Sequence, residues 1–82
     1  MSVKTYVLLD VFENRATGAA SRLRRAAGVT MVERLDGSPN LMLAVTADDR
    51  QLLAHLTARA ISRIDDVTRS VQLLPVDPKT GT

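Results

Sequence analysis

The sequence predicts a single α+β domain in which the unit strand, helix, strand occurs twice. Residues 3–36 contain an apolar run at 7–9, a stretch with helical spacing, and a second apolar run at 29–35, and residues 41–76 repeat that order. Two such units in succession are typical of the ferredoxin-like βαββαβ fold, a four-stranded antiparallel sheet with two helices on one face. This fold leaves the other sheet face uncovered, so we expect the function to involve whatever covers it.

Composition limits the classes of function. A chain of 82 residues makes one domain with a thin core, because so short a chain buries only about 60% of its unfolded surface. The absence of cysteine excludes disulfides, thiolate metal sites and thiol nucleophiles. No signal peptide and no apolar run near the roughly 20 residues of a membrane span occur, so the expected location is cytoplasmic, away from membranes. The net charge of +2 is too small to predict nucleic-acid binding.

The first half of the chain predicts a strand, a helix and a second strand. The first strand, residues 3–12, is apolar on both faces apart from Lys4 and Asp10. Asn14 is expected to cap the first helix. The apolar positions of that helix are Ala16, Ala19, Ala20, Leu23 and Ala27. Gly28 provides a left-handed stop before the second strand, residues 29–35.

The second half begins with a hairpin loop at residues 36–40, where five turn-forming residues lie between two apolar runs. The third strand, residues 41–46, is again apolar on both faces. Thr46 or Asp48 is expected to cap the second helix, with Asp49 near its positive end.

The second helix has the clearest pattern in the chain. Its predicted buried stripe consists of Leu52, Leu53, Leu56, Ala60 and Ile64. Asp65 and Asp66 end it, and residues 67–76 form the fourth strand. The domain is therefore expected to span residues 1–76, followed by a flexible polar tail at 77–82.

Right-handed crossovers give the strand order 4-1-3-2, with strands one and three in the centre. Those are the two strands that are apolar on both faces, and two helices can cover only one face. A second copy of the chain is the simplest cover for the other. The predicted dimer interface consists of Tyr6, Leu8, Met42 and Ala44.

Four short segments together resemble the ligand-binding domain of the leucine-responsive regulator/AsnC family, the regulation-of-amino-acid-metabolism (RAM) domain. They are residues 6–11 (YVLLDV), 27–29 (AGV), 35–43 (LDGSPNLML) and 66–70 (DVTRS), in family order and spacing. The resemblance covers nearly the whole chain, from about residue 4 to residue 75.

The resemblance implies a dimeric α/β barrel with two sheets packed face to face, often assembled into an octamer or another ring. In this family an amino-acid effector binds between dimers, at the hairpin loop and nearby strand ends. The residues that match these positions are Leu35, Asp36, Gly37, Ser38, Asn40 and Ser70. Full-length members carry an N-terminal helix-turn-helix domain; this chain resembles the stand-alone members, so no direct DNA binding is expected.

One residue departs from the family pattern. Asn40 lies where relatives usually have an aspartate, and an asparagine offers a carbonyl and an amide to an effector's ammonium group instead of a negative charge. Both Asn40 and Gly37 are also ordinary turn residues, and Gly37 is expected to have a positive φ.

The preferred interpretation is a regulatory, non-enzymatic sensor without cofactor, metal or catalytic residue. One alternative is a small dimeric α/β-barrel enzyme of the monooxygenase or isomerase kind, with Tyr6, Asp10 and His55 as candidate polar groups. Another is an ACT-type amino-acid-binding regulatory domain, which has the same topology but places its sheets side by side. His55 is expected on a solvated helix face beside Arg59.

The first helix also carries a basic patch. Its members are Arg15, Arg22, Arg24 and Arg25, with no acidic residue between positions 14 and 32. Such a patch is usually a solvated face, but it also suits an acidic partner or a phosphate.

Overall fold

The computed structural model describes residues 2–76, with side chains for residues 2–74. The strands are β1 (Val3–Val11), β2 (Val29–Arg34), β3 (Leu41–Ala47) and β4 (Thr68–Val76). The helices are α1 (Ala16–Arg24) and α2 (Arg50–Ser62), and short 3-10 turns at Glu13–Arg15 and Asp65–Val67 precede α1 and β4. The βαββαβ order predicted from the sequence is confirmed. The predicted tail, residues 77–82, lies outside the described residues.

The strands form one sheet in the order β2-β3-β1-β4, and every neighbouring pair is antiparallel. This is the predicted order 4-1-3-2. Strand β1 pairs on both sides: Leu9 lies opposite Leu41 of β3 and opposite Val71 of β4. Residues that lie opposite one another in a sheet project to the same face, so this register determines which side chains the helices cover.

The core lies between the sheet and the two helices. Alternate residues of the central strands, including Val7, Leu9 and Leu43, are fully buried there together with Leu23 of α1. The α1 residues that face the sheet are otherwise alanines, which let the helix approach the strands closely. Each buried leucine or valine side chain contributes about 1.5–3 kcal/mol to the free energy of folding.

Both helices begin differently from the sequence prediction. Asn14 does not cap α1, because it lies within the 3-10 turn and α1 begins at Ala16 without a side-chain cap. Asp49, and neither Thr46 nor Asp48, caps α2: its carboxylate accepts a hydrogen bond of 2.7 Å from the amide of Leu52. The reason is that β3 continues through residue 47, so Thr46 is still part of the strand.

The buried stripes of the helices are also shifted. Leu52 is 39% exposed, because the buried line of α2 passes through Thr57 and Ala60 and leaves Leu52 to one side. The Thr57 hydroxyl donates a hydrogen bond of 2.7 Å to a backbone carbonyl one turn earlier, so its burial leaves no unpaired polar group. On α1, Ala26 is buried and Ala27 is exposed, because the helix has already ended at residue 24.

Gly28 allows the turn between α1 and β2 to pack tightly against α2. Its φ is +84°, and its carbonyl accepts a hydrogen bond of 2.9 Å from the amide of Thr46. A Cβ at this position would lie 2.7 Å from Cδ1 of Leu56. The predicted left-handed role of Gly28 is confirmed, and the close approach to Leu56 adds a second reason for glycine there.

We expect Gly28→Ala to lower the free energy of unfolding by about 2 kcal/mol or more, because it combines an unfavourable φ with a clash. Gly18→Ala is the matched control. Gly18 is an exposed α1 residue with open space around the site of a Cβ, so alanine should raise stability by about 0.5–1 kcal/mol. Urea denaturation of both variants measures the difference, and equal effects would contradict the packing described for Gly28.

Candidate functional site

The sheet face opposite the two helices, here called the open face, has an apolar centre. Tyr6, Leu8 and Met42 project onto it and are half-buried, and Leu74 of the neighbouring β4 is 39% exposed. The register places Leu74 directly opposite Tyr6, and Met42 directly opposite Leu8, so the four side chains are contiguous. The residues expected to face a partner therefore lie together on one surface.

Ala44 contributes less to this surface than the sequence suggested. It lies on the open face between Tyr6 and Met31, which are its direct partners on the two neighbouring strands. Its small side chain is only 2% exposed because these larger neighbours already cover it.

Charged groups mark both ends of the open face. At one end the ammonium of Lys4 lies 5.6 Å from the centre of the Tyr6 ring. At the other end the Asp10 carboxylate accepts a hydrogen bond of 2.8 Å from Arg69, whose guanidinium also lies 5.7 Å from the centre of the Phe12 ring. The charge on Asp10 is thus balanced within the chain.

The β2–β3 hairpin loop extends from the Asp10 end of the sheet. The amide of Leu35 donates a hydrogen bond of 2.8 Å to the carbonyl of Asn40, which closes the loop. Gly37 has φ +91°, as predicted for a turn glycine. Asp36, Gly37 and Ser38 are exposed, so their polar groups are open to solvent.

Asn40 anchors this loop to β1. Its side-chain oxygen accepts a hydrogen bond of 3.0 Å from the amide of Val11, and its side-chain nitrogen donates one of 2.8 Å to the carbonyl of the same residue. Its own backbone amide donates to the carbonyl of Leu9 at 3.0 Å. The residue is 3% exposed, so the amide side chain is enclosed by protein.

The reason for this contact is an irregularity in β1. Backbone pairing between β1 and β3 ends at Leu9 and Leu41, and the pairing of β1 with β4 shifts between Asp10 and Val11. The Asn40 side chain therefore takes the place of one further residue of a neighbouring strand. An asparagine has both the donor and the acceptor that this requires, whereas an aspartate has only acceptors.

A second cluster lies behind the loop. Arg34 forms an ion pair with Glu13 at 2.7 Å and donates a hydrogen bond of 3.1 Å to the hydroxyl of Thr17. Glu13 also accepts a longer hydrogen bond, 3.4 Å, from the side-chain nitrogen of Asn40. The carboxylate of Asp36, by contrast, makes no ion pair within residues 2–76.

The six residues expected to contact an effector all lie at this end of the sheet. Ser70 is exposed and directly opposite Asp10 on β4, while the hairpin residues reach the same end from the other side of β1. Leu35 is half-buried at the base of the loop. These residues thus share one end of the sheet, and the groups open to a ligand are the Asp36 carboxylate, the Gly37 amide and the Ser38 and Ser70 hydroxyls.

The candidate polar groups for an enzyme are not brought together. Tyr6 and Asp10 are four residues apart on one strand, about 13 Å along it, which is beyond hydrogen-bond reach. His55 is exposed on α2, on the other side of the sheet. Within residues 2–76 no group of three or more potential metal ligands occurs, and no helix of that part is long and apolar enough to cross a membrane.

Comparison with solved structures confirms the fold. The chain superposes on TTHA0845 from Thermus thermophilus with a TM-score of 0.80 and 17% identity, covering 92% of both chains. It superposes on AsnC from E. coli with a TM-score of 0.76 and 20% identity, covering 93% of this chain and 52% of AsnC.

A third similar structure is a complex with L-Met of the transcriptional regulator NMB0573 from Neisseria meningitidis, with a TM-score of 0.73 and 13% identity over 94% of this chain and 51% of that one. The chain thus spans about half the length of AsnC and of NMB0573. In sequence, no family model and no curated protein matches it. The predicted ferredoxin-like α+β fold is shared with AsnC.

We expect Asn40→Ala to lower the free energy of unfolding by about 2 kcal/mol, because the amide and carbonyl of Val11 lose their partners inside the protein. Asn40→Asp should cost a similar amount at neutral pH, since a carboxylate oxygen would then face the Val11 carbonyl. The control is Asn14→Ala, at an exposed asparagine, which should change stability by less than about 0.5 kcal/mol. Chemical denaturation distinguishes these outcomes; equal stability of the Asn40 and Asn14 variants would contradict the anchoring role.

Proposed function

We propose that the chain is a sensing module of the leucine-responsive regulator/AsnC type, which assembles through its open face and binds a small effector, an amino acid, at the hairpin end of the sheet. The observation that carries the proposal is the combination of an apolar sheet face without a cover and a set of exposed polar groups at one end of that face. The module would act in the cytoplasm by passing effector occupancy to a regulator or an enzyme.

The assembly follows from the open face. Tyr6, Leu8, Met42 and Leu74 form its apolar centre, and a second copy related by a two-fold axis would place the same patch against it. Two sheets packed face to face lie about 10 Å apart and interdigitate such side chains. Removing apolar surface from water contributes about 25 cal/mol per Å², so this contact would add substantially to the stability of a chain with a thin core.

The effector site uses the polar groups next to this face. The Gly37 amide and the hydroxyls of Ser38 and Ser70 are donors suited to a carboxylate. The Asp36 carboxylate, which has no basic partner in the described chain, suits the ammonium group of an amino acid. Asp36 can thus supply the negative charge that Asn40 does not, while Asn40 and Leu35 hold the loop.

A ligand bound to one chain alone would remain largely in water, because Asp36, Gly37, Ser38 and Ser70 are all exposed. Effective recognition of a zwitterion requires shielding from water, since charge-assisted hydrogen bonds are weak in high dielectric. A neighbouring dimer would provide that second wall. This argument favours an octamer or another ring over an isolated dimer as the binding-competent form.

Structural similarity supports the same class of function. NMB0573 is a transcriptional regulator whose structure holds L-Met, and the present chain matches about half of it. The separation of Tyr6 and Asp10 and the exposure of His55 give the enzyme interpretation no assembled site. The apolar open face favours packing of sheets face to face over the side-by-side arrangement of ACT-type domains.

We expect the wild-type protein to be a dimer or larger assembly at micromolar concentration. Leu8→Asp or Met42→Asp should give monomer or aggregate, because each places a charge in the centre of the apolar contact. Leu52→Asp is the matched control: it makes the same change at an exposed leucine of α2 and should leave assembly intact. Light scattering after size-exclusion chromatography measures the mass. A normal dimer of the Leu8 variant, or a stable wild-type monomer, would contradict the proposed assembly.

We expect at least one of the twenty amino acids to raise the melting temperature and to bind measurably by calorimetry. Asp36→Asn should weaken that binding about tenfold, because a charge-assisted contact to the ammonium is lost. Asp48→Asn removes a charge from another exposed aspartate, at the start of α2, and should leave affinity unchanged. If none of the twenty amino acids binds while the assembly stays intact, the proposed amino-acid effector is wrong, and a scaffold function is the remaining interpretation.

A further inference from the structure

A groove lies on the helical side of the molecule, away from the open face. It has a volume of about 270 Å³ and is lined by Ala26, Ala27, His55, Leu56, Arg59, Ala60 and Arg63. None of these residues belongs to the hairpin end or to the predicted dimer interface, so neither the effector nor a partner sheet would occupy the groove.

The polar side chains of the groove form one row. His55 and Arg59 lie four residues apart on one side of α2, about 6 Å along it, and Arg63 follows after four more residues, at the C-terminal cap of the helix. The floor between α2 and the end of α1 is apolar and is formed by alanines and Leu56. Gly28 lies next to Leu56, because a Cβ at Gly28 would be 2.7 Å from Cδ1 of that leucine.

The charge in the groove is unbalanced. The lining contains no carboxylate, and neither Arg59 nor Arg63 has an acidic partner for its guanidinium within residues 2–76. Two acidic residues follow the row in sequence: Asp65 is not part of the groove lining, and Asp66 is already paired at 3.3 Å with Arg22, whose guanidinium also donates to the Arg63 carbonyl at 3.1 Å. Like charges one helical turn apart repel each other, and a bound anion would remove that repulsion.

We propose that this groove binds a small phosphate monoester of mononucleotide size. A guanidinium presents parallel N–H donors that match the oxygens of a phosphate, and two such groups one turn apart can hold one dianion between them. The apolar floor accommodates the flat, uncharged body of the ligand. The volume lies near the lower end of the range of about 300–1,000 Å³ for small-molecule sites, so the ligand is small and remains partly in solvent.

The same chemistry excludes the effector proposed for the hairpin end. An amino acid carries an ammonium group, and the groove has three basic side chains and no carboxylate to accept it. The groove is therefore a separate site, and it remains accessible when two open faces pack together, because it lies on the opposite side of the sheet. The inference is independent of the proposed effector function.

The test is calorimetric titration of the full chain with adenosine 5′-monophosphate, adenosine and inorganic phosphate in about 0.15 M salt, where surface charges are screened beyond about 8 Å. We expect saturable binding of the monophosphate with one site per chain, and weaker or no binding of the other two probes. Arg59→Gln and Arg63→Gln should each weaken binding of the monophosphate about tenfold or more. Ala27→Leu, which fills the groove without changing its charge, should also weaken binding of the monophosphate.

Arg15→Gln is the control for net charge, since Arg15 precedes α1 and lies at the far end of that helix from the groove. It should change affinity less than about twofold, and circular dichroism should show that all variants are folded. No binding of the monophosphate to the wild type overturns the proposal. Equal affinity for phosphate and for the monophosphate also overturns it, because the apolar floor then contributes nothing to binding. An Arg15 variant that loses as much affinity as the Arg59 variant overturns it as well, because the electrostatic attraction then comes from the net charge and not from the groove.

Discussion

Strand β1 is the constraint on which the structure depends. It pairs with β3 from Val3 to Leu9 and with β4 from Lys4 to Val11, so most of its backbone is paired on both sides. Its side chains alternate between a fully buried helical side and an open side that carries Tyr6 and Leu8. A strand that is apolar on both faces favours cover on both, and this chain's two helices supply only one. The proposed assembly therefore rests on the composition of β1.

The end of β1 is equally decisive for the hairpin. Beyond Leu9 the strand loses its regular partner on β3, and the amide and carbonyl of Val11 would be unpaired without Asn40. One side chain therefore completes the sheet and positions the loop whose tip carries Asp36. An asparagine suits this position because its side chain supplies both the acceptor and the donor that the backbone of Val11 requires.

Periodicity predicted the sheet faces, right-handed crossovers predicted the strand order, and turn chemistry predicted the positive φ of both turn glycines. The first residues of the helices were harder to predict from the sequence. Asp49 caps α2 because β3 ends at Ala47, one residue beyond the predicted strand, a length that pairing with β1 determines. The anchoring role of Asn40 was missed for the same reason: it depends on a shift in β-pairing 29 residues away in sequence, and no local signal encodes it.

Asp10 on the open face differs from Arg59 and Arg63 on the helical side in having an ion-pair partner within residues 2–76. Burying the open face against a second sheet would be costly if it enclosed an unpaired charge. Asp10, whose side chain is already only 13% exposed, is neutralised by Arg69 within the chain, so it can be covered without that cost. On the helical side, Arg59 and Arg63 have no such partner among the described residues. Asp10 is thus neutralised on the face where an apolar partner is proposed, whereas Arg59 and Arg63 keep their charge where solvent or an anion can reach them.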